Sequence, residues 1–390
     1  MAYRQGPGAG PFTAGPPAGP PGGRSGPVRI GVLGAASIAR RRVLPAMARR
    51  PELTLVATAS RSLPKAREIA EEFGGEAVEG YERLLARDDI EAVYIPLPVT
   101  MHAEWTERAL RAGLHVLCEK PLTGELGSTR RLTALARERG LTLMENLMYR
   151  WHSQHRTVRE LLDSGAVGEV RTLTAEFAFP PKSPKDMRYQ PVGGGALIEI
   201  GVYPISTALL YLGDRLDVLG ASVRRHARTG VDLSGAALLS APDGRYAHLT
   251  WGMEHAYRSV YEIWGSEGRL VVEWAYTPPA THSPVVRIEQ QGRVERLTLP
   301  PDDQFGNVLA DFGRAVRGAD EGTHAEDSLR LAALMDDVAT RVLMDDVATR
   351  VRSAASAPPR RTEGRRTTGS LPGVRPVRAG TPTLEGEKHG

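Results

Sequence analysis

The chain has 390 residues, 41% of them hydrophobic and 25% charged, with 42 glycines and 29 prolines, the composition of a globular protein of two or three domains. It contains no run of about 18 apolar residues, which excludes a spanning helix, and no apolar N-terminal leader, which argues against secretion. The single cysteine, Cys118, excludes a disulfide framework and a multi-cysteine zinc site; it fits a reducing cytoplasm, and no metal is expected. The pI of about 9.2 originates in the tails: residues 1–27 carry +2 and residues 352–390 carry +5, so of the formal +4 the body holds −3. With no basic face on the folded part, neither a nucleic acid nor a membrane is expected as a partner.

Residues 1–27 hold eight Gly and seven Pro and almost no large apolar side chain. They cannot bury enough surface to offset their ordering entropy and are expected to be disordered, as is the Arg-rich tail 352–390. From residue 28 short apolar stretches alternate with amphipathic ones. Strands are expected at 28–33, 53–59, 92–96, 115–118 and 142–145, and helices at 37–49, 64–73, 106–112 and 127–139. Such alternation predicts a doubly wound parallel α/β sheet over 28–148. After about residue 150 strands dominate, at 168–180, 215–227, 234–241, 245–253, 259–264, 270–273 and 285–299. Their polar/apolar alternation predicts an α+β domain over 149–351 with a large, mostly antiparallel sheet.

A perfect nine-residue duplication, LMDDVATRV, occupies 334–342 and 343–351. Nine residues turn an α-helix through roughly 900°, half a turn out of phase. If both copies continue one helix, only one can pack against the body.

The first strand runs into Gly34-Ala35-Ala36-Ser37-Ile38-Ala39, in the place of a G-x-G-x-x-G/A dinucleotide fingerprint. Gly34 permits the tight strand-to-helix turn, and small residues at Ala36 and Ala39 admit a pyrophosphate at the helix N-terminus. The alternative is a tight turn with no ligand. Of Arg40, Arg41 and Arg42, one is expected on a phosphate, and Arg41 is the choice. At the end of the second strand NAD-binding domains place an acid for the ribose; here stand Ser60 and Arg61. These suit a 2′-phosphate, which favours NADPH over NADH, unless Arg61 is an ordinary surface residue.

Two segments fall at strand ends, where open α/β sheets bind ligands: Leu97-Pro98-Val99-Thr100-Met101-His102 and Cys118-Glu119-Lys120-Pro121-Leu122. Lys120 can stabilise the negative charge that develops when a carbonyl is reduced; the alternative is a solvated loop lysine. Cys118 reads as a small buried hydrophobe. A third segment, Gly193-Gly194-Gly195-Ala196-Leu197-Ile198-Glu199-Ile200-Gly201-Val202-Tyr203-Pro204, is a glycine turn entering an apolar helix. Its Glu199 and Tyr203, at i and i+4, share a face. Tyr203 can give a proton to an alkoxide, the alternative being a packed phenol with its hydroxyl satisfied.

Taken in order, GVLGAASIA, the Ser60-Arg61 strand end, LPVTMH, CEKPL and GGGALIEIGVYP resemble the Gfo/Idh/MocA oxidoreductase family across roughly residues 28–340. Further stretches, Glu145 to Tyr149, His152 to His155, Phe179-Pro180-Pro181 and Asp186 to Tyr189, are similar to its TDP-sugar 3-ketoreductases of deoxysugar and antibiotic biosynthesis. The resemblance implies NADPH-dependent reduction of the C3 keto group of a TDP-linked 3,4-diketo-2,6-dideoxyhexose. It also implies a homodimer or homotetramer formed through the open sheet. By position, Lys120 and Tyr203 flank the reacting carbonyl, Glu199 is the helix acid, and Arg188 lies near the cofactor. Leu97, His102 and Glu119 line the nicotinamide side. The alternatives are another sugar, polyol or dihydrodiol dehydrogenase of the family, or a non-catalytic NADP-binding regulator.

Overall fold

Apolar strands such as AVYI, and VRIGVL broken only by Arg29, need cover on both faces, and a parallel sheet between two helical layers gives it to them. In the computed structural model, which describes residues 26–318 and 323–355, the first half is built in this way. β1 (Val28–Leu33) enters a helix whose π-wound turn, Ala39–Val43, precedes α1 (Leu44–Met47). There follow β2 (Leu53–Ser60), α2 (Leu63–Phe73), β3 (Glu76–Glu79), α3 (Tyr81–Leu85), β4 (Ala92–Ile95), α4 (Val99–Arg111), β5 (His115–Glu119), α5 (Leu126–Glu138) and β6 (Leu143–Asn146). The six strands lie parallel in the order β3-β2-β1-β4-β5-β6. Strand order reverses between β1 and β4, so the ligand crevice of this topology opens at the C-terminal ends of those strands.

The second half begins with a 3-10 turn, Met148–Trp151, then α6 (Ser153–Asp163) and β7 (Val170–Ala178). A π-wound turn, Leu197–Gly201, leads into α7 (Val202–Leu212). Seven strands follow: β8 (Asp217–Arg225), β9 (Asp232–Ser240), β10 (Tyr246–Gly252), β11 (Arg258–Gly265), β12 (Gly268–Glu273), β13 (Val285–Gln290) and β14 (Arg293–Thr298). With β7 they make an eight-stranded sheet, β14-β13-β12-β11-β7-β10-β9-β8, antiparallel except where β7 meets β10. α8 (Gln304–Val316) and α9 (Thr323–Ala355) end the described chain. They pack back on the first half; Arg317, just past α8, pairs with Glu91 beside β4 at 3.1 Å. Among the described residues no helix is long and apolar enough to cross a membrane.

The structure departs from expectation in several places, and helices α3, α6 and α8 were not anticipated. β3 was not anticipated, because EAVE is a short edge strand with glutamates at both ends and little apolar signal. The expected strand 285–299 is a hairpin, β13 and β14, broken at Gln291-Gly292. α4 starts at Val99, seven residues early, since Pro98 (φ −58°) sets its N-cap; Thr100 to His102 are helix, not loop. The segment with Glu199 is π-wound instead of a regular α-turn. The expected disorder of the tails concerns 1–25 and 356–390, which lie outside the described residues.

Under the π-turn lies the fully buried Trp251 of β10. Its indole stands so close that a Cβ added at Gly201 would meet it at 3.2 Å, and one at Gly235 on β9 at 2.6 Å.

Both LMDDVATRV copies lie in α9. In the first, Leu334, Val338 and Val342 are at most 4% exposed, whereas Leu343 and Met344 of the second are about 60% exposed. The half-turn phase error accounts for the contrast. Leu334→Ala should therefore cost about 2–5 kcal/mol in chemical denaturation, and Leu343→Ala, the same residue one copy later, under about 0.5 kcal/mol. Similar losses from the two would contradict the phase argument.

Candidate active site

The first element of the site is the crevice at the β1 and β4 ends. Gly34 takes φ +119°, which a side chain resists, and a Cβ there would stand 3.0 Å from Leu97 Cδ2. Glycine thus keeps the floor of the crevice open. Gly34, Ala36, Ser60, Arg61, Lys65 and Leu97 line a cleft of about 480 Å³. Ser37 and Ile38 form the first helical residues beside it. Ser60 is buried and its Oγ accepts from the Ser62 N–H at 3.2 Å, which holds the β2–α2 turn beside the cleft. Arg41 is exposed on its helix and is not among the cleft residues, while Arg40 is tied to Glu68 and Glu72 of α2.

The second element is the loop after β5. Glu119 accepts hydrogen bonds from the Tyr94 hydroxyl (2.7 Å) and Asn146 Nδ2 (2.6 Å), so neighbouring strand ends converge on one carboxylate. Burial raises its pKa. Next in sequence, Lys120 crosses to the second half, where its Nζ donates to the Glu199 carbonyl at 2.9 Å and lies 3.3 Å from Glu199 Oε2. Arg188 Nε approaches the same oxygen at 3.4 Å while its Nη1 holds Asp186 at 3.0 Å. One carboxylate therefore organises two cations, with only 11% of its side chain exposed.

Tyr203 supplies the third element. Its ring centroid is 5.8 Å from Lys120 Nζ. Phe177, Tyr149 and Tyr276 wall it in, with ring centroids 4.9, 5.7 and 5.5 Å away. Its hydroxyl faces the Met148 thioether at 4.0 Å. Burial, and then the charges of Glu119 and Glu199, push its pKa well above the ordinary value, so the phenol is protonated at neutral pH. The protonated Tyr203 ring thus lies beside the Lys120 ammonium.

His102, expected at the nicotinamide side, is sealed instead. It is 1% exposed, with Nδ1 2.9 Å from the Pro121 carbonyl and Nε2 2.7 Å from that of Leu97. It ties the β4 and β5 loops together. Asp232 on β9 was not anticipated: its carboxylate accepts from the Leu197 N–H at 2.6 Å and secures the start of the π-turn. No local pattern marks it, since its partner is 35 residues earlier. Tyr94 was not anticipated either, since it lies in the apolar run AVYI with nothing to set it apart.

A crevice at the C-terminal ends of β1 and β4 is where a doubly wound sheet of this order binds a dinucleotide. Residues 28–147 match the oxidoreductase family with NAD-binding Rossmann fold, and residues 155–271 match the GFO/IDH/MocA C-terminal domain. The chain belongs to the Gfo/Idh/MocA oxidoreductase family. It is 52% identical over 316 residues, 80% of this chain and 95% of the relative, to the dTDP-3,4-didehydro-2,6-dideoxy-alpha-D-glucose 3-reductase of Actinomadura kijaniata. It is 34% identical to a D-xylose 1-dehydrogenase (NADP(+)) of Haloferax volcanii, across 79% of this chain and 95% of that one. The crystal structure of KijD10, a 3-ketoreductase from Actinomadura kijaniata in complex with NADP and TDP-benzene, superposes with a TM-score of 0.79. That match has 51% identity and covers 81% of this chain and 98% of KijD10.

Proposed function

We propose that this protein reduces the C3 keto group of a TDP-linked 3,4-diketo-2,6-dideoxyhexose with NADPH, in the biosynthesis of a deoxysugar. The observation that carries this reading is the approach of Lys120 to the Tyr203 ring, in a chain 52% identical to a reductase of that substrate. The cofactor fits the residues present: the floor at Gly34 has no side chain, and Ser60, Arg61 and Lys65 offer donors and positive charge where an NAD-binding domain has an acid. When bound, NADPH supplies the hydride. Lys120, aimed by Glu199, faces the negative charge that grows on the ketone oxygen. Tyr203 donates the proton that completes the alcohol, and its raised pKa keeps that proton available across the physiological range.

The exposed face of the second sheet supports self-association. Tyr246, Thr172 and Trp264 lie in one cross-strand row, and Leu238 stands in the next. Tyr246, Trp264 and Leu238 are 43%, 60% and 38% exposed. We read this apolar patch as the interface of a homodimer or homotetramer.

Arg61→Ala should weaken NADPH binding about 10- to 150-fold, the equivalent of a charge-assisted contact of about 1.5–3 kcal/mol, and leave NADH almost untouched; equal losses would remove the 2′-phosphate assignment. With the TDP-diketosugar generated in situ, Tyr203→Phe should lower kcat by about 10²–10⁴-fold with little change in sugar-nucleotide affinity. Lys120→Met should do at least as much harm, and the double variant should fall short of the product of the singles. Near-wild-type turnover in both single variants would overturn the proposed chemistry. For the interface, Trp264→Glu should reduce the mass measured by light scattering to that of the monomer without lowering Tyr203-dependent chemistry per site; an unchanged mass would place the interface elsewhere.

A further inference from the structure

Lys120 carries its ammonium on a long flexible stem, so where Nζ sits depends on where the backbone of the β5–α5 loop is held. That backbone is gripped by two buried side chains just past Lys120. His102 holds the Pro121 carbonyl. On the other side Glu145, on β6 and 7% exposed, accepts the Leu122 N–H at 3.0 Å. The same carboxylate takes a hydrogen bond from Ser328 of α9, also buried. Glu145 lies at the wall of a cavity of about 110 Å³ between the Lys120 loop, the π-turn residues Leu197 and Ile198, and α9. It touches neither the cleft at Gly34 nor Tyr203, and the chemistry above gives it no role.

We infer that Glu145 is a positioning residue for the reduction: through Leu122 it fixes the loop that carries Lys120, and through Ser328 it ties that loop to α9. The inference rests on the reading of Lys120 as the group that faces the ketone oxygen. A carboxylate in this place also carries charge into the loop. Burial raises the Glu145 pKa to about 7, against the opposing pull of Ser328, the Leu122 N–H and the positive charges of Arg150 and Lys120. Arg150 is itself paired with Asp327 of α9 at 3.0 Å, and Glu125 and Asp336 face the same cavity. Near neutral pH Glu145 therefore passes between two states. The ionised state offers both its oxygens to the Leu122 and Ser328 donors and so holds the loop more firmly, which makes it the more active one.

The test uses the full chain with NADPH and the TDP-diketosugar. Glu145→Gln keeps an acceptor for Leu122 but no charge. Its kcat should stay within about 10-fold of wild type, and the acid limb of the kcat–pH profile, with its midpoint near 7 in the wild type, should disappear. Glu145→Ala leaves the Leu122 N–H unheld and should lower kcat about 10²-fold, the scale of a displacement of roughly 1 Å at a catalytic group. NADPH affinity, read by the cofactor's fluorescence, and the KM for the sugar nucleotide should change less than about 3-fold, because the loss lies in the transition state. Ser328→Ala removes a donor to the ionised form and should move the acid limb to higher pH; this variant serves even where Glu145→Ala does not fold. An acid limb unchanged in both Glu145→Gln and Ser328→Ala, or wild-type kcat in a folded Glu145→Ala, would overturn the inference. Those results with an inactive Lys120→Met would spare the proposed function, whereas an active Lys120→Met would remove both.

Discussion

A lysine ammonium with most of its side chain out of water has to be met by oxygen, and here the oxygen belongs to the other half of the molecule. The reach of Lys120 to the backbone and carboxylate of Glu199 joins the loop after β5 to the π-wound turn that enters α7 in the second half. Neither half alone satisfies both groups. A partly buried cation and anion that lose each other leave an uncompensated charge, which is far more costly than an exposed pair broken in solvent. The contact therefore ties the two halves together through one partly buried ion pair.

Around that contact the polar groups are graded by purpose. Glu119 is stabilised by Tyr94 and Asn146 from the strands on either side, so its carboxylate is a structural hub of the sheet's C-terminal edge. Glu199 instead faces two cations, Lys120 and Arg188. Tyr203 is held by three aromatic rings in place of hydrogen bonds, and its hydroxyl meets a soft thioether. Rings hold a phenol in place without competing for its proton.

Legibility in the sequence followed the range of the interactions involved. The parallel sheet was readable because buried strands are mostly apolar, as the four-residue run AVYI of β4 shows most plainly. β3 escaped because an edge strand of four residues with two glutamates carries almost none of that signal. Lys120, Glu199 and Tyr203 were visible as charged or polar residues in positions where a structural role gave no account of them. The spacing of Glu199 and Tyr203 was right, but the π-wound turn between them was hidden, since nothing in LIEIG distinguishes a wide turn from a regular one. His102 stood in the right motif and was given the wrong surroundings: its two carbonyl partners belong to backbone folded around it, which residue types do not reveal. Asp232 and Glu145 act on backbone N–H groups 35 and 23 residues away, and such partnerships have no footprint in local pattern.

The packing of Trp251 against Gly201 and Gly235 has a consequence for how this sequence can change over time. The indole occupies the space that side chains at both glycines would need. A larger residue at either position collides with the ring, and a smaller residue in place of the ring leaves both glycines beside a void. Each single exchange is thus a loss, although a smaller ring with alanines beneath it fills much the same volume. The three positions therefore constrain one another, and a change at one is tolerated only with compensating changes at the others.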